Sequence, residues 1–349
     1  MSLIFTEKYV EPVQHSLWNY DYQPTSLNHF VGNQMIAETI DSFLRSDHIP
    51  NLIFCGPNGC GKTTMAKILA KEYLGPAYDS CNMEIIGSIY RGKNVVSEKN
   101  DKKKASEATY DCPNIINFIR KKLRLSSNKC RIVTIYDFDC MTDEAQMALR
   151  RIIEIHSEKV RFIFICNNLN NIIEAIQSRT LILKFQPVSI DEIIQRLKEI
   201  TTARLLTLND DIYDAIGIMS GGDLKQAINI LQVFANSHHH LIDNFYNIFN
   251  IPSIKSIQEL IRSCLLGDGN KAFSIIDQMV ENGYNVTDIL DIMIKVLMYT
   301  KDLTEPKRVY IIEETIKIIC INEQSSSITH LYKLVTSIIK GVAKLPKTK

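Results

Sequence analysis

The stretch Gly56-Pro57-Asn58-Gly59-Cys60-Gly61-Lys62-Thr63 constrains this chain more than any other. A Gly, four residues, then Gly-Lys-Thr is the spacing of a phosphate cradle. Here the apolar run Leu52–Cys55 precedes it and the helical pattern of Met65, Ala66, Ile68, Leu69 and Ala70 follows. The glycines let the backbone turn so that successive N–H groups converge on phosphate oxygens, and the helix N-terminus adds its positive dipole end. The pattern predicts that residues 56 to 63, with Thr64 behind them, hold a nucleoside triphosphate. Lys62 is expected to reach the outer phosphates and the Thr63 hydroxyl to ligate Mg²⁺.

A chain of 349 residues is too long for one ordinary core, so two or three domains are expected. Its 45% hydrophobic and 23% charged residues describe a globular protein with a substantial interior, and no apolar run is long enough to cross a bilayer. The nine cysteines include no Cys-x-x-Cys pair and read as reduced, mostly buried thiols of an intracellular protein. His238 to His240 sit in a polar connection without partner ligands, so no metal site is expected there. The net charge of +1 names no partner, but its distribution is uneven. Residues 91–124 hold ten Lys/Arg against four Asp/Glu, a local +6 that leaves −5 on the rest.

Residues 17–34 read as a loop with aromatic anchors leading into a helix over 35–44. Residues 84–92 read as a strand running into a loop, and 93–111, with Lys102 to Lys104, as an inserted surface loop. That loop and a helix over 114–125 bearing Arg120, Lys121, Lys122 and Arg124 form either a solvated excursion or a face for a phosphate backbone. Arg131–Tyr136 reads as a central strand ending in Tyr136-Asp137-Phe138-Asp139. At such an end a phosphate-cradle enzyme needs one carboxylate for the Mg²⁺ shell and another for the attacking water. Thr142 is a candidate N-cap for a helix over 143–156. A further strand, 161–166, ends at Asn167, where a polar amide suits a ligand site. Beyond Pro187 the spacing predicts helices over 190–205, 210–219 and 222–232, and a largely helical remainder.

Several of these stretches together resemble the small subunits of replication factor C and related clamp loaders of the AAA+ class. Leu17 to Gln34 resembles the opening box, whose Val-Gly-Asn segment, here Val31-Gly32-Asn33, lies against the adenine in that family, with Gln23 standing where the family has Arg. Residues 145–151, Ala-Gln-Met-Ala-Leu-Arg-Arg, resemble the central helix, and Gln177-Ser178-Arg179-Thr180 the motif ending in Ser-Arg-Cys. The family carries Asp-Glu-Ala-Asp at the strand end, which puts Tyr136 on the metal-binding Asp and Asp137 on the catalytic Glu, with Asp139 also acidic. Asn167 matches the first sensor. Lys225 stands at the Arg of the second sensor, keeping the charge without the bidentate fork.

The resemblance implies an α/β AAA+ nucleotide-binding domain over 1–187, with a parallel sheet flanked by helices, a small helical lid over 188–236 and an all-helical collar over 237–349. It implies a subunit that uses ATP and Mg²⁺, within a ring of large and small clamp-loader subunits, to place a PCNA-like sliding clamp on primer-template DNA, at a nuclear or viral replication site. The catalytic residues implied are Asp137, Asp139, Asn167 and the trans-acting Arg179, with Thr63 and Asp137 toward the metal. Ile and Asn richness would fit a large DNA virus or a protist as source. Two alternatives stand beside this reading: a non-hydrolysing interaction subunit of the same ring, favoured by Tyr136, Gln23 and Lys225, or another AAA+ DNA-processing ATPase.

Overall fold

The computed structural model describes residues 17–92, 114–120, 129–237, 242–300, 303–322 and 327–342. The insertion 93–111, Lys121, Lys122, Arg124 and His238 to His240 lie outside the described residues. The chain forms two compact units. One comprises the described parts of Met1–Val188 together with Asp223–Gln232, the other Ser189–Gly222 with the described parts of Val233–Lys349.

The first unit is built on five parallel strands: β1 (Leu52–Cys55), β2 (Asn82–Ile86), β3 (Arg131–Tyr136), β4 (Val160–Cys166) and β5 (Leu181–Lys184), in the order β2-β3-β4-β1-β5. Side chains alternate across the sheet, so the central strands β1, β3 and β4 feed two cores. Ile132, Ile163, Ile165, Leu52 and Phe54 face one core with Met65, Leu69 and Tyr73. Val133, Ile135, Phe162, Phe164 and Ile53 face the other with Ala145, Leu149, Ile152 and Ile153. The parallel register sets Cys55 beside Cys166. The carboxyl ends of β1, β3 and β4 therefore open at one edge, where ligands bind in such sheets.

Helices α1 (Trp18–Asp21), α2 (Gln34–Arg45), α3 (Lys62–Leu74), α4 (Tyr78–Cys81), α5 (Ile115–Arg120), α6 (Asp143–Ile155) and α7 (Glu174–Gln177) complete this part of the chain. The aromatic arm differs from the expected loop. Trp18 starts a helical turn, is buried, and its backbone N–H donates to Gln232 Oε1 at 3.0 Å; Asn19 bonds Asn229 beside it. These bonds and a close approach of Asp223 to the cradle explain why residues 223–232 pack with the first unit, whereas the sequence spacing groups them with the lid.

Beyond Pro187 come α8 (Ile190–Ala203), α9 (Asp210–Ser220), α10 (Leu224–Ala235), α11 (Ile242–Phe249), α12 (Ile254–Leu266), α13 (Gly269–Glu281), α14 (Val286–Tyr299), α15 (Glu305–Asn322) and α16 (Ile328–Val342). Ser189 and Glu192 form a capping box that starts α8 directly after the proline. The hydroxyls of Thr201 and Tyr213, 2.7 Å apart, join α8 to α9. In the second unit α12 packs on α13, α14 and α16, and α15 on α14 and α16. Their buried faces are the aliphatic stripes that the spacing predicts, such as Ile257, Leu260 and Ile261. Among the described residues no helix is long and apolar enough to cross a membrane.

Candidate nucleotide-binding site

The cradle leaves β1 and enters α3 through Gly61, whose φ of 95° is open to glycine and strained for other residues. A Cβ on Gly61 would come within 2.4 Å of the Phe30 ring, so the arm packs directly on the loop. Lys62 is buried at 6% exposure, and its ammonium donates to Gly56 O at 2.7 Å and Pro57 O at 2.5 Å. It thus caps the loop's own carbonyls at the place where it would reach a phosphate. Cys60 is buried, its thiol donating to Pro57 O at 2.9 Å, and burial pushes that thiol's pKa up. Gln23, in the position of an expected Arg, donates to the Thr64 hydroxyl at 3.2 Å and so ties the arm to the first turn of α3. Val31 is half-buried in the turn that Asn33 closes, at φ 50°. The Asn33 amide accepts from Gln186 N at 2.8 Å and donates to Gln186 O at 3.0 Å.

At the end of β3 the ring of Tyr136 belongs to the α3-side core, and its hydroxyl donates to Glu84 Oε2 at 2.9 Å. Tyr78 donates to the other oxygen of the same carboxylate, also at 2.9 Å. Burial and then the Glu84 charge push the Tyr136 phenol far above its ordinary range, and burial and the bond to Glu84 push Tyr78 up to about 12. Both phenols are therefore fixed as donors at any physiological pH. Asp137 is exposed, in left-handed backbone at φ 48°, and its carboxylate accepts from Ser88 Oγ at 3.0 Å. The fit to Mg²⁺ is consequently uneven. The exposed Thr63 at the start of α3 suits the ion, whereas the expected carboxylate of β3 is a phenol committed to Glu84.

Asp139, expected among the catalytic carboxylates, has one oxygen that accepts from both Asn167 N and Asn168 N at 3.1 Å, and so braces the end of β4. Asn167 is exposed at that end, one residue beyond Cys166 and beside β1 in the sheet. Lys225 is exposed in the first turn of α10. Asp223 immediately precedes that helix; its carboxylate accepts from Gln226 N at 2.8 Å and lies so close to Gly59 that a Cβ there would meet it at 1.8 Å. The start of α10 is thereby set against the cradle.

Arg179 follows α7, exposed at the rim. Its Nη2 lies 2.7 Å from Glu154 of α6, and Arg150 shares that carboxylate at 3.2 Å. Gln146, on the same helix, is fully buried. It donates to Met141 O at 3.2 Å and Asn171 O at 2.9 Å and accepts from Ile173 N at 3.0 Å, pinning α6 to the segment that leads to Arg179. Glu84, Glu154, Gln146 and Asp223 surround the candidate residues as hydrogen-bond and ionic partners, and sequence reasoning gave them no such role. Gln146 had a signal: it falls three residues before Leu149 on the apolar face, where a lone amide needs partners. Gln146→Ala strands two carbonyls and an N–H, and is expected to cost about 2–4 kcal/mol in urea unfolding. A loss below about 0.5 kcal/mol would show that water replaces the amide.

Comparisons with known proteins follow the same division. The family described as replication factor C C-terminal domain matches residues 252–337, and that described as DNA polymerase III, delta subunit, matches 32–189. The replication factor C small subunit of Aeropyrum pernix is 32% identical over 278 residues, which span 79% of this chain and 81% of that protein. Replication factor C subunit 4 of Oryza sativa subsp. japonica is 32% identical over 299 residues, 85% and 84% of the two chains. Among solved structures, the Thermotoga maritima RuvB Holliday junction branch migration motor superposes with a TM-score of 0.51 at 15% identity, covering 69% of this chain and 79% of that one; this likeness shows the fold alone.

Proposed function

The chain belongs to the replication factor C small-subunit family, and from that premise we infer that it is an ATP-binding member of a ring that loads a sliding clamp onto primer-template DNA. One observation carries the reading. An intact cradle around Lys62 and an exposed Arg179 occur in one unit, which supports a chain that holds one nucleotide and acts on an adjacent one.

In this reading Gly56 to Thr63 and the Lys62 ammonium hold the phosphates, and Phe30 and Val31 close the adenine side. Asn167, placed by Asp139, orients water beside the γ-phosphate. Mg²⁺ arriving with the nucleotide would neutralise phosphate charge, with Thr63 and Asp137 as its residues here. Asp137 then acts on the attacking water once it leaves Ser88. Arg179 acts at the next subunit, where its planar fork neutralises charge developing in phosphoryl transfer. ATP binding assembles the ring, other large and small subunits complete it, and hydrolysis releases the clamp.

The phenol of Tyr136 slows this chain's own turnover. Tyr136→Asp leaves two carboxylates facing each other, so it is combined with Glu84→Gln. The pair is expected to raise single-turnover hydrolysis at this site about tenfold; an unchanged rate would show that the phenol is not limiting. The reading as a whole is tested by ATP turnover of the assembled ring with and without clamp and primed DNA. Stimulation that requires both supports it, and a rate indifferent to the clamp contradicts it.

A further inference from the structure

Arg179, Arg150 and Glu154 form one ionic group. Arg179 Nη2 and Arg150 Nε approach the same Glu154 oxygen, at 2.7 and 3.2 Å. Arg179 Nη1 also donates to Ala175 O at 2.8 Å and Ser178 Oγ at 3.2 Å, folding the side chain back over α7. In this posture the donors that would form a bidentate fork on a phosphate are turned to the chain's own oxygens. The side chains are open to solvent, 35% exposed for Arg179, 42% for Arg150 and 40% for Glu154. Ion pairs of that exposure are weak and screened, so a triphosphate with several charges displaces them readily.

The arrangement has an unequal division of roles. Arg150 lies four residues before Glu154 on α6 and stays beside it whatever Arg179 does. Its hydrogen bond is the leading cause holding the Glu154 carboxyl below the usual range, with Arg179 adding a smaller share. Departure of Arg179 therefore leaves a neutral Arg150–Glu154 pair. Without Arg150, the departure would leave a bare carboxylate that holds Arg179 harder and faces the incoming phosphates as a like charge.

We propose that Glu154 is a positioning residue, the resting partner of Arg179 in the unassembled subunit, and that Arg150 neutralises Glu154 when Arg179 crosses to the neighbour's triphosphate. The proposal rests on the reading of Arg179 as a group acting in trans. Arg150 thereby serves the neighbouring site without touching its nucleotide.

The test is a double-mutant cycle in the reconstituted ring, reading kcat/KM at the neighbouring site and, separately, ATPγS-dependent association of this chain with that neighbour by sedimentation. Arg150→Ala is expected to lower both by about three- to tenfold. Glu154→Gln keeps both at or above wild type, and the double variant matches Glu154→Gln, because the anion that needed neutralising is gone. A double variant as impaired as Arg150→Ala would overturn the handover, as would a Glu154→Gln variant as damaged as Arg179→Ala. Arg179→Ala measured alongside separates the premise: if it leaves the neighbour unaffected, the trans reading itself fails.

Discussion

Lys62→Ala is expected to remove nucleotide binding by this chain. The ammonium is buried at 6% exposure and already bonded to Gly56 O and Pro57 O. It therefore needs no new ordering of its four-carbon stem to meet a phosphate, and its entropy cost is met on folding. Alanine deletes two or three charge-assisted hydrogen bonds to phosphate, each contributing about 1.5–3 kcal/mol, and leaves two loop carbonyls without a donor. Together these predict a weakening of at least about a hundredfold in titration with a fluorescent ATP analogue. An affinity within threefold of wild type would show that the loop's N–H groups suffice without the lysine. The circular dichroism spectrum is expected to be unchanged, since the sheet and α3 do not depend on that ammonium for packing.

Arg179→Ala has the opposite geography. This chain's own nucleotide affinity is expected to stay within twofold of wild type, while hydrolysis at the neighbouring site falls by about a thousandfold or more. A guanidinium brought in trans acts where charge develops in the transition state, so single-turnover rate falls while the neighbour's ground-state binding changes little. Arg179→Lys keeps the charge and loses the fork, and is expected to recover only a small part. A neighbouring site that turns over normally with alanine at 179 would remove the trans role and leave Arg179 as a rim residue paired with Glu154.

Much of the nucleotide site was legible because local sequence dictates it. Gly-rich spacing after an apolar run specifies the cradle, Thr142 caps α6 as its spacing predicts, and the helical stripes of the second unit announce their buried faces. What was not legible depends on contacts between distant segments. That Asp139 braces residues 167 and 168 follows from the meeting of the β3 and β4 ends, 28 and 29 positions apart. Glu84 became visible as a partner only once β2 paired with β3 and brought it beside Tyr136. The short helix at Trp18 is a third case, held by Gln232 from 214 positions away, which no local period encodes. Tyr136 itself stood out as a substitution at the strand end, but the packing of its ring in the α3-side core and its hydrogen bond to Glu84 are properties of the packed sheet.

The central claim is that this chain serves two nucleotide sites, its own through Lys62 and a neighbour's through Arg179. The most direct measurement is ATP turnover of the reconstituted ring, with clamp and primed DNA, for wild type, Lys62→Ala, Asp137→Asn and Arg179→Ala. Lys62→Ala and Asp137→Asn are expected to remove the same single site's share of turnover, and Arg179→Ala a different site's share, so that Lys62→Ala combined with Arg179→Ala removes both. Turnover that is unchanged by Lys62→Ala and Asp137→Asn and falls only with Arg179→Ala would contradict the account, leaving a subunit that serves its neighbour alone.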